Sequence, residues 1–293
     1  MMPRIDETTK HVVCFSGGHS SALVAVEVAR RHGTENLILL NHDINPSVED
    51  PDIKRFKREV AGYLGVEITY ANYPSWDTMD QFDVCIKHTG FKVGATSVLC
   101  THRFKTEPFH KWLAANMEPE KNCVVYYGFD AYEDHRIERR TAVLGDMGYQ
   151  TDYPLARWTG RTIESTREIG IEPPLTYGVF KHANCTACLR AGRRHWYIVY
   201  CTRPDLWEKA KKAEAHIGHT ILRNVRLEEL EADFAIMREA KVEATENTEA
   251  SLFWAHAREA LEWHGRPTIF DYFSPVLQEQ EEENENRPCE CIV

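Results

Sequence analysis

The chain has 293 residues, 43% of them hydrophobic, and a formal net charge of -10. That length and apolar content suffice for a large α/β core with a helical appendage, whereas the negative charge speaks against indiscriminate DNA binding. Residues 1–10 are polar rather than secretory in character, and no stretch approaches the ~20 apolar residues of a membrane span, so a soluble cytoplasmic protein with no membrane partner is expected.

Residues 11–15 (HVVCF) read as a short buried strand, and residues 21–32 (SALVAVEVARRH) as a helix that Gly33 can stop. Residues 36–41 (NLILLN), 52–64 and 67–71 (EITYA) repeat the alternation as strand, helix and strand. Residues 105–116 predict another helix and residues 123–128 (CVVYYG) another central strand, while residues 153–155 (YPL) would close the α/β part as an edge segment. This order implies a doubly wound, mostly parallel sheet covered by helices. Residues 206–215, 227–240 and 249–264 carry apolar residues at helical spacing with no strand signal between them, which predicts a helical C-terminal region able to pack on the core or mediate a homodimer. The expected organisation is therefore an α/β domain over 1–204, a helical region over 205–276 and an acidic, disordered tail over 277–293.

The first strand-to-helix junction reads Ser16-Gly17-Gly18-His19-Ser20-Ser21. Two glycines permit a tight turn and close backbone approach to an anion, and the helix that follows aims free N–H groups and its positive dipole end at that anion. Ser16, Ser20 and Ser21 add hydroxyl donors. The loop is neither a Walker loop, which ends in Gly-Lys-Ser/Thr, nor a G-x-G-x-x-G fingerprint. Three basic groups could flank a phosphate or be solvated helix faces: Lys54, Arg55, Lys57 and Arg58; Arg136, Arg139 and Arg140; Arg190, Arg193 and Arg194. Asp43, ending the second strand at the carboxyl edge of the sheet, is a candidate for Mg²⁺ or ribose, and His42 beside it reads equally well as a structural histidine.

The loop resembles the SGG-x-[DST]-S-[AT] signature of the PP-loop superfamily, and further segments resemble the phosphoadenosine-phosphosulfate reductase family within it. These are Leu39-Leu40-Asn41-His42-Asp43, Cys100-Thr101-His102-Arg103-Phe104-Lys105 with Pro108, the Gly128-to-Arg136 segment (GFDAYEDHR), Tyr153-Pro154-Leu155-Ala156-Arg157-Trp158, and the pair Cys185 and Cys188. The resemblance spans about residues 11–200. It implies a Rossmann-like PP-loop fold that binds ATP or a related adenine nucleotide, with Mg²⁺, at Ser16 to Ser21, Asp43 and Gly128. It further implies cleavage to AMP and pyrophosphate assisted by Ser20, Asp43, Arg136 and Arg157, with the other substrate a nucleic acid or a sulfur donor. Ser20 stands where many ATP pyrophosphatases carry Asp, and Asp130 where many relatives carry Arg. Two other activities fit the same resemblance: reduction of a phosphosulfate, and nucleotide binding without turnover in a phage- or CRISPR-linked accessory protein.

The spacing of Cys185 and Cys188 suits an iron–sulfur cluster, zinc, a redox dithiol or a turn with no metal, and Lys181, Arg190, Arg193 and Arg194 lie close in sequence. With Cys100 in a segment that resembles the family, the implied occupant is a [4Fe-4S] cluster on Cys100, Cys185 and Cys188. Three thiolates leave one iron open for exogenous sulfide, unless Cys201, His182 or His195 completes the set. Cys14 and Cys123 read as core residues, Cys85 has no helpful neighbour, and the thiols of Cys289-Glu290-Cys291 read as idle passengers of the tail.

Overall fold

In residues 12–15 apolar side chains follow one another without a polar break, which suits a strand covered on both sides. The computed structural model describes residues 5–93, 97–183 and 185–264, so the acidic tail and its two cysteines lie outside the described residues. In chain order the first elements are β1 (Lys10–Cys14), α1 (His19–His32), β2 (Leu37–Asn41), α2 (Pro51–Leu64), β3 (Ile68–Tyr70) and α3 (Gln81–Lys87). An antiparallel pair, β4 (Lys92–Val93) and β5 (Ser97–Val98), precedes the short α4 (Leu99–Thr101), a π-helical stretch (His102–Thr106) and α5 (Glu107–Asn116). Then come β6 (Cys123–Tyr126), α6 (Asp134–Asp146), β7 (Gln150–Asp152), α7 (Pro154–Arg157), α8 (Arg193–Thr202), α9 (Pro204–Ile217), α10 (Leu227–Glu239) and α11 (Ala250–Trp263).

The chain groups into two units. The first contains described residues 5–77 and 101–175, the second residues 78–100 and 176–264, without the undescribed positions. In the first, five strands form an all-parallel sheet in the order β3-β2-β1-β6-β7. Successive residues point to opposite faces. Val12, Cys14, Leu40 and Val125 meet Phe109 and Leu113 of α5 and Ile137 and Leu144 of α6. Val13, Leu39, Val124 and Tyr126 meet Ala22, Ala25 and Val28 of α1 and Phe56 and Val60 of α2. With helices on both faces, this unit is a doubly wound α/β structure. Strand order reverses between β1 and β6, and it is outside the carboxyl ends of such strands that open α/β sheets bind ligands.

Helix α1 is buried on nearly every side. Its sheet-facing residues are complemented by Leu23 and Val26, which pack with Ile163; each such side chain contributes about 1.5–3 kcal/mol. Glu27, buried among them, accepts hydrogen bonds from the Thr162 amide (2.5 Å), the Thr162 hydroxyl (3.0 Å) and the Ile163 amide (3.1 Å), which offsets the cost of burying its charge. The same carboxylate thereby fastens the chain after α7 along α1.

Two details depart from the sequence reading. The edge strand is β7 (Gln150–Asp152), not residues 153–155: Pro154 lacks an N–H and instead opens the helical turn α7. Helix α1 begins at His19, so His19 and Ser20 belong to its first turn.

In the second unit α3 starts with a capping box. Asp80 accepts from the amides of Phe82 (2.8 Å) and Asp83 (3.1 Å), and Asp83 accepts from the Asp80 amide (3.0 Å). Lys209 of α9 reaches both carboxylates, at 2.7 and 2.8 Å. The core of this unit is aromatic: Trp207 packs against Tyr200 (5.2 Å between ring centroids), Phe234 (5.6 Å) and Trp196 (6.4 Å). Among the described residues no helix is long and apolar enough to cross a membrane.

Candidate functional site

The loop between β1 and α1 is shaped from below by α2. Gly17 has φ +87, and a Cβ there would lie 2.8 Å from Ile53 Cγ2 and 2.9 Å from Lys57 Cγ, so both conformation and space call for glycine. Gly18 is the N-cap of α1, which has no side-chain cap and no acidic residue in its first turn. A helix start without a side-chain cap or an acidic first turn is the kind of terminus that suits an anion. Gly128, just after β6, stands against them: a Cβ on it would be 3.0 Å from the Ser20 carbonyl carbon and 3.1 Å from the Ser21 nitrogen. The two strands flanking the switch point thus bring Gly128 against the first turn of α1, directly after Gly17 and Gly18.

The hydroxyls differ in use. Ser21 is buried and donates to the Gly18 carbonyl (2.8 Å), while Ser16 donates to Ser21 (3.3 Å). Ser21 therefore holds the turn rather than facing outward as a donor, which corrects the expectation for that side chain. Ser20 is half-buried on the first turn. His19 accepts from the Thr166 amide (3.2 Å), and burial, with Arg167 nearby, lowers its pKa.

Beneath the loop lies a buried charge cluster that sequence reasoning had resolved only in part. Asn41 donates to the Phe15 carbonyl (2.5 Å) and accepts from Lys57 (3.2 Å). Lys57, 1% exposed, also contacts Glu49 (3.2 Å) and Asp43 (3.5 Å), and Lys54 contacts Asp43 (3.1 Å) and Glu49 (3.5 Å). Burial pushes the Glu49 carboxyl above its ordinary range against the pull of both lysines. Asp43 is thus engaged by two ammonium groups, and this arrangement does not fit a ready-made magnesium ligand. Lys57 was visible only as one of four basic residues on a helix; its contact with Gly17 needed the fold. His42 is a structural histidine, with Nδ1 donating to the Ala71 carbonyl (2.5 Å) and burial holding its pKa down at about 4.

The segment after β6 is organised by Glu133, which accepts from the Asp130 amide (2.8 Å) and forms a buried ion pair with Arg136. The Arg136 guanidinium also lies over Phe129, 4.1 Å from its centroid. Arg136 consequently braces this loop through its ion pair with Glu133, a pairing that the sequence allowed beside a contact to phosphate. Arg157 is exposed and lies over Tyr153, 4.8 Å from its centroid. Asp130 has its carboxyl raised by burial and Glu133, with Arg161 opposing. Arg161 and Arg167, beside Asp130 and His19, are cations that the sequence reading did not single out.

Cys100, Cys185 and Cys188 fall in the second unit, all as thiols. One face of α3 serves both segments. Gln81 donates to the carbonyls of Thr186 (2.9 Å) and Ala187 (3.2 Å), and one turn later the Cys85 thiol accepts a hydrogen bond from the Cys100 backbone. Side chains at i and i+4 lie about 5–6 Å apart, so α3 gathers the Cys185–Cys188 turn and the Cys100 backbone onto one surface. Cys85 itself is pushed up to about 12 by burial. The basic surroundings are less free than their spacing suggested, because Arg194 donates to the Thr245 carbonyl (2.7 Å) and the Thr248 carbonyl (2.6 Å). Cys14 and Cys123 are buried core residues, raised to about 12 and about 11.

Compared with known proteins, the chain matches no family model, and no curated protein and no solved structure was found to match it.

Proposed function

We propose that the crevice formed by Ser16–Ser21 and Gly128 holds the phosphate chain of an adenine nucleotide, and that the protein is a PP-loop enzyme cleaving ATP between its α and β phosphates. The observation that carries this reading is the uncapped start of α1 at the switch point of a parallel sheet, with glycine required at Gly17 and closely backed at Gly128. Adenine and the site of cleavage rest on the resemblance of SGGHSSA and its companion segments to the PP-loop and phosphoadenosine-phosphosulfate reductase families.

In this reading the backbone amides of the first turn and the Ser20 hydroxyl stabilise charge on the departing pyrophosphate. Lys57 supplies a fixed buried cation below the turn, and Asp43 orients Lys54 and Lys57. Magnesium enters with the nucleotide. Arg161 and Arg167 are the exposed cations assigned to the phosphates or to the second substrate, a nucleic acid or a sulfur donor. Cys100, Cys185 and Cys188 fit the thiolate set of an iron–sulfur cluster, which when bound would supply an iron able to carry sulfide. Product analysis with ATP and Mg²⁺ tests the reaction: AMP and pyrophosphate are expected. ADP and phosphate would overturn it, and adenosine bisphosphate formed from the phosphosulfate, with ATP untouched, would install the reductase instead.

A further inference from the structure

Behind the cysteine turn the second unit contains a group of ligands to which the proposed reaction assigns no role. His182, His195 on the first turn of α8, and Glu246 in the segment after α10 each present one donor atom, all within 4.8 Å of one another. We propose that these three residues form a binding site for a divalent transition ion, zinc in the first instance. This proposal does not depend on the nucleotide reading.

The carboxylate is held in place before any ion arrives. Glu246 Oε2 accepts from the Lys181 amide (2.9 Å), and the Glu246 amide donates to the Val179 carbonyl (2.7 Å). Thr245 donates to the same carbonyl (3.0 Å), Asn247 donates to those of Tyr177 (2.9 Å) and Gly178 (3.0 Å), and Arg194 spans the carbonyls of Thr245 and Thr248. With Oε2 committed, Oε1 faces both imidazoles, 3.2 Å from His195 Nδ1 and 3.7 Å from His182 Nε2. The rings are stacked on each other, 5.5 Å between centroids, and both pack on Phe180. Ligand order of this kind lowers the entropic cost of binding.

Without an ion the three side chains form a hydrogen-bonded group, His195 Nδ1 to Glu246 Oε1 at 3.2 Å, and their spacing is one that an ion can enter. Ligand atoms about 2.0–2.1 Å from a tetrahedral zinc lie roughly 3.3 Å from one another. The two Glu246 separations, 3.2 and 3.7 Å, bracket that value, and all three donor atoms lie within 4.8 Å, so small side-chain shifts bring them to a common ion. Two imidazoles and one carboxylate suit zinc or ferrous iron and leave a fourth position for water or substrate. His195 and Glu246 are 3% and 16% exposed, whereas His182, at 27%, gives the site its side toward solvent.

Binding here would be felt at the cysteines. His195 Nε2 now accepts the Cys188 amide at 3.3 Å. When Nδ1 ligates an ion in the neutral imidazole, Nε2 carries the proton, so the Cys188 amide must turn away. An ion on the histidines therefore shifts the turn that carries Cys185 and Cys188.

The experiment is a zinc titration of the full-length, chelator-stripped chain carrying Cys100→Ser, Cys185→Ser and Cys188→Ser, read by calorimetry and by X-ray absorption. One zinc per chain in a shell of only nitrogen and oxygen is expected, with affinity lowered at least about tenfold by His182→Ala and by Glu246→Gln. If the serine background does not fold, the same measurement on the wild-type chain decides. There, one zinc with nitrogen and oxygen neighbours weakened by His182→Ala supports the site, and a shell of sulfur alone overturns it. Zinc binding that is absent, or indifferent to both substitutions in chains with unchanged circular dichroism, also overturns it.

Discussion

At the scale of single residues, buried charge sets what each side chain below the loop can do. Lys57 and Lys54 serve the same two carboxylates, yet only Lys57 is fully buried, also bonds Asn41, and lies under Gly17. Removing one partner of a buried charge group leaves the others uncompensated. Lys57→Met is therefore expected to cost about 3 kcal/mol by urea denaturation, and Lys54→Met, at 24% exposure, about 1 kcal/mol or less. Equal costs would show that the cluster is not organised around Lys57. A second expectation concerns pH. His42 is held neutral, with its pKa lowered from 6.5 to about 4 chiefly by burial. The unfolded chain then binds the extra proton between those values, so this stability is complete above pH 6.5 and falls as pH drops toward 4, by up to about 3 kcal/mol. His42→Gln, which can still donate to the Ala71 carbonyl, should flatten the stability profile in that window, and an unchanged profile would remove His42 as its source. Neither the depth of Lys57 nor the partner of His42 was legible in the sequence, since both depend on contacts between β2, α2 and β3.

At the scale of elements, the β1–loop–α1 unit was the most legible part of the chain. An apolar run, two glycines and a helical apolar pattern are local signals, and they placed the strand within one residue of where it lies. The sequence did not announce α3, because its capping box uses Asp80 and Asp83 in place of a Ser/Thr and Glu/Gln pair. Nor did it announce β7, whose Gln150-Thr151-Asp152 lacks an apolar pattern and is a strand through pairing with β6. Gly17→Ala must accept a positive φ and contacts under 3 Å, and should destabilise the protein by about 1–3 kcal/mol. A thermal midpoint equal to wild type would contradict the assigned geometry. Glu27→Gln tests the fastening of the segment after α7. Amide exchange at Thr162 and Ile163 should rise by roughly tenfold or more, as expected when a charged acceptor becomes neutral, while exchange in β1 stays unchanged. Unaltered protection at both amides would show that Glu27 does not hold them.

At the scale of the whole molecule, the sequence placed the boundary between its α/β and helical parts near residue 204, where strand signals give way to helical ones. The structure groups residues 78–100 with the C-terminal helices, because Lys209 ion-pairs with Asp80 and Asp83 and α3 packs on α9. Such a discontinuous unit leaves no local mark, since its contacts join residues more than 120 positions apart. A chain ending at residue 204 would lose Trp207 and Phe234, and with them much of the aromatic core around Trp196. It is expected to bind hydrophobic dyes and aggregate on size-exclusion chromatography; a monodisperse, dye-silent fragment would show that the second unit does not require α9 and α10. Of the candidate site, the loop could be read from the sequence, whereas Arg161, Arg167, the depth of Lys57 and the convergence of Glu246 on His182 and His195 became visible only through the fold.

The most direct test of the central proposal is calorimetric titration of ATP into the wild-type chain and into Gly18→Asp. Gly18 is the N-cap of α1 with extended backbone angles, φ -85 and ψ 159, and aspartate is a favourable residue at such a position. The variant should therefore keep or slightly raise the thermal midpoint. Its carboxylate would stand where the phosphates bind and weaken ATP by roughly a hundredfold or more. A fully folded Gly18→Asp chain that no longer binds ATP is expected; equal binding by the two proteins would show that the phosphates do not sit at this helix start.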